Sequence, residues 1–576
     1  MNYADNRLSS AHYVLEGLQE LGLDYLFCNL GTDHAPLIEE MARWKRIGRD
    51  YPKVVLCPHE NTAVHMAAGY AIASGRGQGV LVHVDAGTAN AAMGLHNLCR
   101  ARIPVLLMAG RAPYSLRGEL PGSRDTYVHF VQEPFDQAGV VRPYVKWEYN
   151  LPSGVVAKEV LRRADTVMNS DPKGPVYLTF ARETLTTPWA PSEVRSFGRA
   201  EFGPIDARGT DATTIDELAG RLLAAREPLL ITSYLGRNPD AVPILEELAR
   251  VAGIRVIEAT PVHLNIAHDH PCFGGFSAAE HLRSADVGLL VDVDVPWIPR
   301  DVSEAPQTWW AQIDVDPLKS AFPIWGFPSH LRIRGDSGIV LSQLLEAINE
   351  RMTTEQRQQA AGRVSRYAEQ GNARRERTAS LAREPGRRGA LNPHYICAVL
   401  NRVLAPDDIV LNEAIRNGPV VFQQMPRTRP GSLVGLAGGG LGFSAGMALG
   451  LKLARPERMV MQIVGDGGFY FGNPLSIYAV SKQYGLPIFT VILDNSGWAA
   501  VKEATLRVYP GGEAQSAGEF QAALAPDIDF AALAEATGGH GERLSDPAAA
   551  EEAVARCVSA VRSGRSAVLH VRVAPM

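Results

Sequence analysis

The chain has 576 residues, 46% of them apolar and 21% charged, with a formal net charge of −5. That length exceeds one hydrophobic core and predicts roughly three or four compact units, while the lack of any basic cluster interleaved with aromatics speaks against nucleic acid as a partner. Six scattered cysteines without a Cys-x-x-Cys pair, and an N-terminal MNYADNRLSS without the regions of a signal peptide, speak against a disulfide framework, a zinc site and export, and fit a cytoplasmic protein.

Taken in order, DYLFCNLG, KVVLCPHE, GVLVHVDAG and IPVLLMAGR read as strands ending in turns, each followed by a helix, which predicts α/β structure with a parallel sheet over residues 1–190. TTPWAPSEVRSFG reads as a proline-bearing linker. A second α/β segment over 205–350 carries the strands PLLITS, RVIEA, VGLLVDVDV and WWAQIDVD. Residues 351–389 are charged and nearly free of large apolar side chains, which predicts an exposed helix and linker. The third segment, 390–576, has the pattern of the first without a strict repeat. Within it Leu433–Leu451 carries no charge and is long enough to span a bilayer, but its glycine density and missing aromatic anchors predict no membrane span.

The stretch VGDGGFYFGNPLSIYAVSKQYGLPIFTVILDNSGW joins two apolar strands, Met459–Val464 and Ile488–Leu493, through a helix. Asn473 is the expected N-cap, Pro474 the first helical position, Leu475, Tyr478 and Ala479 one face, and Gly485 the stop. A βαβ unit of this kind brings Asp466 and Asn495 to strand carboxyl ends on one sheet edge, where α/β folds hold ligands. A carboxylate, an amide oxygen and the Gly497 carbonyl are hard donors suited to octahedral Mg²⁺. Gly465, Gly467 and Gly468 let the backbone approach an anion closely. HENTAVH is not a zinc-hydrolase helix, because His59 and His65 are six residues apart, about 240° around a helix.

PHENTAVHMAAGYAIASG, GTANAAMGL, FVQEPFDQAG, KGPVYLTFARE, GGGLGFSAGMALG and the GDG-to-Asn block, in that order over nearly the whole chain, resemble the motifs of thiamine diphosphate-dependent enzymes of the acetolactate synthase and benzoylformate decarboxylase group. The resemblance implies an α/β fold of three doubly wound parallel-sheet domains: pyrimidine-binding (PYR) over 1–190, middle over 205–350, and diphosphate-binding (PP) over 390–576, with 351–389 as linker. It also implies a homodimer or homotetramer with the cofactor clamped at the subunit interface. Its substrate would be a small 2-oxo acid or 2-hydroxyacyl compound.

Carried over by position, the resemblance makes Glu60 the carboxyl group that relays a proton to the cofactor's aminopyrimidine, and His83 the acid–base group beside the thiazolium, a role that suits an imidazole at neutral pH. Asp466, Asn495 and the Gly497 carbonyl would hold Mg²⁺ against the diphosphate. Gly465, Gly467 and Gly468, with Gly440, Leu441 and Gly442, would line the cofactor, Leu441 supporting its bent conformation. Asp494 departs from the commoner Asn-Asn pair, and the metal site is expected to survive that change. Thr32, Asp33, Gln132, Trp498, Val501 and Glu503 are candidate substrate-pocket residues. Thr32 stands where such decarboxylases have a serine, and DVPWIPRDV, with Trp297, Pro299 and Arg300, lacks their second histidine, which puts an aryl substrate in doubt. The middle domain binds FAD in some members; ITSYLGRNPDAV is poorer in glycine than a tight diphosphate site requires, which weighs against FAD here.

The expected function is a 2-oxo acid decarboxylase or carboligase dependent on thiamine diphosphate and Mg²⁺. The alternatives are a 2-hydroxyacyl-CoA lyase, which needs a nucleotide pocket in the middle domain, and a cofactor-binding but inactive relative. A nicotinamide dehydrogenase is disfavoured, because GGGLGFSAG does not have the Gly-x-Gly-x-x-Gly spacing.

Overall fold

The computed structural model describes residues 7–435, 437–525 and 527–574. Its three main sheets each have six strands, and every pairing within them is parallel. The inner strands of these sheets are buried on both faces, which is why they appear in the sequence as nearly unbroken apolar runs, whereas edge strands such as Glu148–Asn150 and His540–Leu544 are partly exposed.

One compact unit takes the chain up to Asp206 together with Ala437–Glu457 and Phe469–Pro487. Its sheet contains β1 (Tyr25–Asn29), β2 (Lys53–Leu56), β3 (Gln78–Val82), β4 (Val105–Arg111), β5 (Glu148–Asn150) and β6 (Val176–Ala181), in the order β2-β1-β3-β4-β6-β5. The order reverses between β1 and β3, so the carboxyl ends of these two strands border the crevice in which open α/β sheets bind ligands. Gly31 and the 3₁₀ turn Thr32–His34 follow β1, and His83 follows β3. The expected linker TTPWAPSEVRSFG is pinned at its start: Pro188–Trp189 pairs antiparallel with Leu8–Ser9, and the Trp189 indole donates to Ser10 Oγ at 3.2 Å.

In the same unit the helix Glu60–Ser74 packs closely on the helix Ser444–Ala454. Small residues allow this approach. A Cβ on Gly69 would lie 2.1 Å from the Met447 carbonyl oxygen, and one on Gly450 would lie 2.1 Å from that of Met66. These atoms belong to helix backbone and cannot swing away. Gly69→Ala is therefore expected to destabilise this unit by about 1–3 kcal/mol, seen as a lower unfolding midpoint. Gly220→Ala, at a helical site with nothing within 4 Å of the added Cβ, is the matched control and should not lower it.

The helix Pro474–Tyr484 corrects two expectations. Asn473 sits at the N-cap position, but in the left-handed region (φ 51°) and without a capping side-chain bond. Leu475 is 60% exposed, and the buried face is Ser476, Ile477, Tyr478, Val480 and Ser481, with Ser476 Oγ hydrogen-bonded to Thr62 Oγ1 at 2.9 Å. Gly485 ends the helix at φ 63°, as its position predicts.

The second unit holds the other two sheets. The middle sheet has β7 (Pro228–Thr232), β8 (Arg255–Glu258), β9 (Phe273–Gly275), β10 (Val287–Val291), β11 (Trp309–Asp314) and β12 (Leu331–Arg334), ordered β9-β8-β7-β10-β11-β12. The third has β13 (Ile409–Glu413), β14 (Leu433–Val434), β15 (Val460–Gly465), β16 (Phe489–Asp494), β17 (His540–Leu544) and β18 (Ala567–Arg572). Its order, β14-β13-β15-β16-β18-β17, repeats the topology of the first sheet. The stretch expected as an exposed helix and linker is a 28-residue helix, Thr354–Leu381, with a narrow buried stripe of Ala360, Arg363, Tyr367 and Gly371. Arg363 is an anchor despite its charge, its guanidinium donating to the carbonyls of Ala225, Ala252 and Gly253 at 2.7–3.3 Å. Leu433–Leu451 is divided between β14 and the helix Ser444–Ala454, and among the described residues no helix is long and apolar enough to cross a membrane.

Candidate functional site

In the first unit, Glu60 opens its helix directly after His59, whose side chain caps the Asn61 amide at 3.1 Å. The Glu60 carboxylate is 7% exposed, accepts from Asn90 Nδ2 at 3.1 Å, and is favoured at that end by the helix dipole. His65 is bonded within the protein. It is fully buried, bonded through Nδ1 to the Asn61 carbonyl at 3.0 Å, and burial pushes its imidazole down to about 4. Among the described residues no three His, Cys, Asp or Glu converge as a metal would require.

At the β1/β3 crevice the structure brings together three residues that lie far apart in sequence. Asp33 Oδ1 is 2.5 Å from His83 Nδ1, and His83 Nε2 is 3.0 Å from Gln132 Oε1. Asp33 is buried, whereas the His83 side chain is 21% exposed. The bond to Asp33 is the largest influence on His83 and holds its imidazole above the ordinary value despite partial burial. Burial alone would raise the Asp33 carboxyl, but the bond to His83, with the neighbouring imidazoles, brings it below its ordinary value. Thr32 faces elsewhere, its hydroxyl 3.1 Å from His129 Nε2.

The Gly-rich turn also belongs to this unit. Asn97 clamps Gly440 on both sides: Gly440 N donates to Asn97 Oδ1 at 3.1 Å, and Asn97 Nδ2 donates to the Gly440 carbonyl at 2.9 Å. Asn61 Nδ2 donates to the Gly442 carbonyl at 3.3 Å, and Gly442 has φ 83°. A Cβ at Gly442 would lie 2.3 Å from Phe471 backbone, so both conformation and space require glycine. Leu441 is half-buried. Asn61 lies within one of the motifs that carry the resemblance and Asn97 two residues past another, but nothing local marks either as a clamp of this turn.

In the second unit Asp466 follows β15 and Asp494 ends β16, with Gly465 in register with Leu493. Asp466 is 3% exposed, and burial together with the Asp494 charge raises its carboxyl to about 6, although the Gly467 and Gly497 amides oppose the shift. Asp494 is compensated differently. Burial would raise it, yet it accepts from His570 Nε2 at 2.7 Å, the Ser496 amide at 2.8 Å and Arg572 Nη1 at 2.5 Å, which hold it at about 2. His570 and Arg572, both on β18, are the partners that sequence reasoning missed. Asn495 is 6% exposed, and its side-chain oxygen accepts from Gly497 N at 3.2 Å. A Cβ at Gly467 would lie 2.6 Å from the Trp498 indole. Glu503 is engaged by Arg416 at 2.6 Å, and Val501 is 46% exposed. A buried carboxylate raised by a second acid, beside an amide oxygen, fits a small dication; Asp466, Asn495 and the Gly497 carbonyl would hold it.

The middle sheet's own switch point, between β7 and β10, is filled by protein. Lys319, fully buried, bonds to Tyr234 Oη, Asp294 and Asp314 at 2.5–2.8 Å. A Cβ on Gly236 would lie 1.9 Å from the Leu264 carbonyl oxygen. These contacts do not fit a dinucleotide laid across that crevice. Arg300 is exposed and paired with Asp301 at 3.0 Å, and Trp297 is buried against Trp310 and Phe327. A separate cavity of about 1180 Å³ is lined by Phe276, Phe422, Tyr395, Arg374, Arg375 and Arg383, with the Phe276 and Phe422 rings stacked 5.4 Å apart.

Residues 8–140 match the family described as thiamine pyrophosphate enzyme, N-terminal TPP binding domain, and residues 417–571 match its C-terminal TPP binding domain. The chain is 26% identical to benzoylformate decarboxylase of Pseudomonas aeruginosa over 98% of both chains, and 26% identical to acetolactate synthase isozyme 3 large subunit of Escherichia coli over 98% of this chain and 95% of that one. Among solved structures it superposes on the thiamine diphosphate-dependent 4-hydroxybenzoylformate decarboxylase of Rhodococcus jostii RHA1 with a TM-score of 0.76 at 21% identity, covering 99% of this chain and 100% of the other. It superposes on benzoylformate decarboxylase from Polynucleobacter necessarius with a TM-score of 0.77 at 19% identity, covering 98% of each.

Proposed function

We propose, for a chain that belongs to the thiamine pyrophosphate enzyme family, that it is a thiamine diphosphate- and Mg²⁺-dependent enzyme that cleaves or forms the C–C bond beside the carbonyl of a 2-oxo acid. The observation that carries this reading is the His83 imidazole, held between Asp33 and Gln132 in the same unit as the buried Glu60 carboxylate. The working division is a PYR domain over 1–190, a middle domain over 205–350, a linker over 351–389 and a PP domain over 390–576.

When bound, thiamine diphosphate supplies a carbon nucleophile that adds to a carbonyl carbon and accepts the electron pair released as the neighbouring bond breaks. Glu60 moves the proton that activates the cofactor's pyrimidine ring. His83 moves protons to and from substrate through Nε2, and Gln132 holds that nitrogen. Asp466, Asn495 and the Gly497 carbonyl hold Mg²⁺, while Gly465, Gly467, Gly468, Gly440, Leu441 and Gly442 shape the cofactor's seat. Trp498 borders it at Gly467. We assign no FAD, because at the β7/β10 switch point the buried Lys319 is already bonded to Tyr234, Asp294 and Asp314. The active assembly is a homodimer or homotetramer.

One observation favours a second reading, a 2-hydroxyacyl-CoA lyase: the cavity with stacked Phe276 and Phe422 beside Arg374, Arg375 and Arg383 offers the aromatic and cationic groups that an adenine nucleotide needs. The deciding experiment is a turnover panel of 2-oxo acids and 2-hydroxyacyl-CoA esters with thiamine diphosphate and Mg²⁺. We expect CO₂ release from at least one 2-oxo acid. Turnover confined to the CoA esters would replace the first reading with the second, and binding of cofactor without turnover of any compound would leave only an inactive relative.

A further inference from the structure

Four groups meet at the β1/β3 crevice, and their donor and acceptor capacities fix where the protons lie. Gly31 N donates to His34 Nδ1 at 3.0 Å, so the His34 proton is on Nε2, which lies 3.4 Å from Asp33 Oδ2. With Nδ1 accepting, the ring is neutral, and burial holds it below the ordinary imidazole value. The Asp33 carboxylate can only accept, and its Oδ1 is 2.5 Å from His83 Nδ1, which must carry a proton. His83 Nε2 is left facing Gln132 at 3.0 Å. A carboxamide suits that place in both protonation states: its oxygen accepts from imidazolium and, turned over, its nitrogen donates to the neutral ring.

Backbone holds the pair together. A Cβ on Gly110 would lie 1.6 Å from Asp33 Oδ2, and one on Gly31 would lie 2.0 Å from His83 Nδ1. No side chain fits at either position, so β4 and the turn after β1 press the carboxylate and the imidazole against each other. The other groups around His83 are Asp85 at the start of the following helix, His129 beyond Gln132, and Glu60, whose Oε1 and the His83 Cβ both lie 3.3 Å from the Cβ position of Gly87. Asp33 is the only one of these in direct bond contact with Nδ1.

We infer that Asp33 does not contact substrate but is a positioning residue: it commits the Nδ1 proton of His83 to itself, fixes the ring, and leaves Nε2 as the single atom that exchanges protons with substrate. This rests on the function proposed above. In each turnover Nε2 gives its proton to the substrate-derived carbon, the neutral ring keeps its Nδ1–H on Asp33, and Nε2 regains a proton from solvent.

The test is ¹⁵N NMR of histidine-labelled, cofactor-free protein, with His83 identified by its absence from the His83→Gln spectrum, alongside pH profiles of kcat for wild type and Asp33→Asn. In wild type, His83 should titrate above the ordinary imidazole midpoint, and its neutral form should carry the Nδ1 proton. Asp33→Asn, which keeps shape and removes charge, should lower that midpoint by about one pH unit or more and move the kcat profile by the same amount, with substrate KM little changed. A wild-type His83 that titrates at or below the ordinary value, or with its neutral proton on Nε2, would overturn the inference even if the variant did not fold. So would a kcat profile unmoved in the variant. Failure of the functional reading would look different: the NMR couplings would stand while no 2-oxo acid turned over.

Discussion

Glu60→Gln is expected to lower kcat by about 10²–10⁴-fold, the contribution of a positioned acid–base group, while leaving the fold and cofactor affinity nearly unchanged. Glutamine is isosteric, and its side-chain oxygen can still accept from Asn90, which bonds Glu60 at 3.1 Å. The helix Glu60–Ser74 keeps its cap at His59 and its glycine-mediated packing. What the variant loses is a transferable proton. A fall in cofactor affinity large enough to account for the lost rate would instead mark Glu60 as a binding residue. Single-turnover measurements at saturating cofactor separate the two outcomes.

Asp466→Asn is expected to have opposite effects with and without metal. In the folded, metal-free chain the Asp466 carboxyl is raised from 3.8 to about 6 by burial and by Asp494. A folded-state value above the unfolded one means that the native state holds the proton more tightly, so this group's contribution to stability declines as pH rises from about 4 to about 6 and stays diminished above that. That difference corresponds to about 3 kcal/mol. At pH 7 in chelator, Asp466→Asn should therefore unfold at a higher temperature than wild type, by an amount equivalent to about 1–3 kcal/mol. With Mg²⁺ and thiamine diphosphate in excess the order should reverse. Wild type then gains roughly 3 kcal/mol at a hundredfold excess over Kd, and the variant gains little. Calorimetry in both conditions checks this. A variant less stable than wild type in chelator, with an undiminished gain on adding Mg²⁺ and cofactor, would show that Asp466 is structural and not a ligand.

The pieces of this fold that were legible in the sequence are those governed by local rules. The apolar runs at β1, β3, β4, β7, β10, β15 and β16 had to be buried strands, and Gly485 had to end a helix. Short strands such as Phe273–Gly275 and Leu433–Val434 carry too few residues for a period to show. The 354–381 helix looked exposed because its buried stripe is built from Ala, Arg, Tyr and Gly, not from large aliphatics. Leu475 misled because spacing alone does not say which face of a helix meets the sheet.

Among site residues, Asp466 and Asn495 could be placed on one edge from a single βαβ unit. The Asp33–His83–Gln132 contact could not, since its members are 49 or more residues apart and meet only through strand order. The departure at Asp494 shows the same limit. Its partners His570 and Arg572 lie 76 and 78 residues downstream, on the adjacent strand β18. Three-dimensional neighbours thus explain both the unexpected aspartate and the acid beside His83.

If Glu60 activates bound thiamine diphosphate, the rate at which the cofactor's thiazolium C2 proton exchanges for deuterium on the enzyme reports it most directly. Wild type with Mg²⁺ is predicted to exchange it at least about 10²-fold faster than Glu60→Gln, whichever substrate the enzyme uses. Equal rates in the two proteins, with cofactor bound to both, would contradict the account.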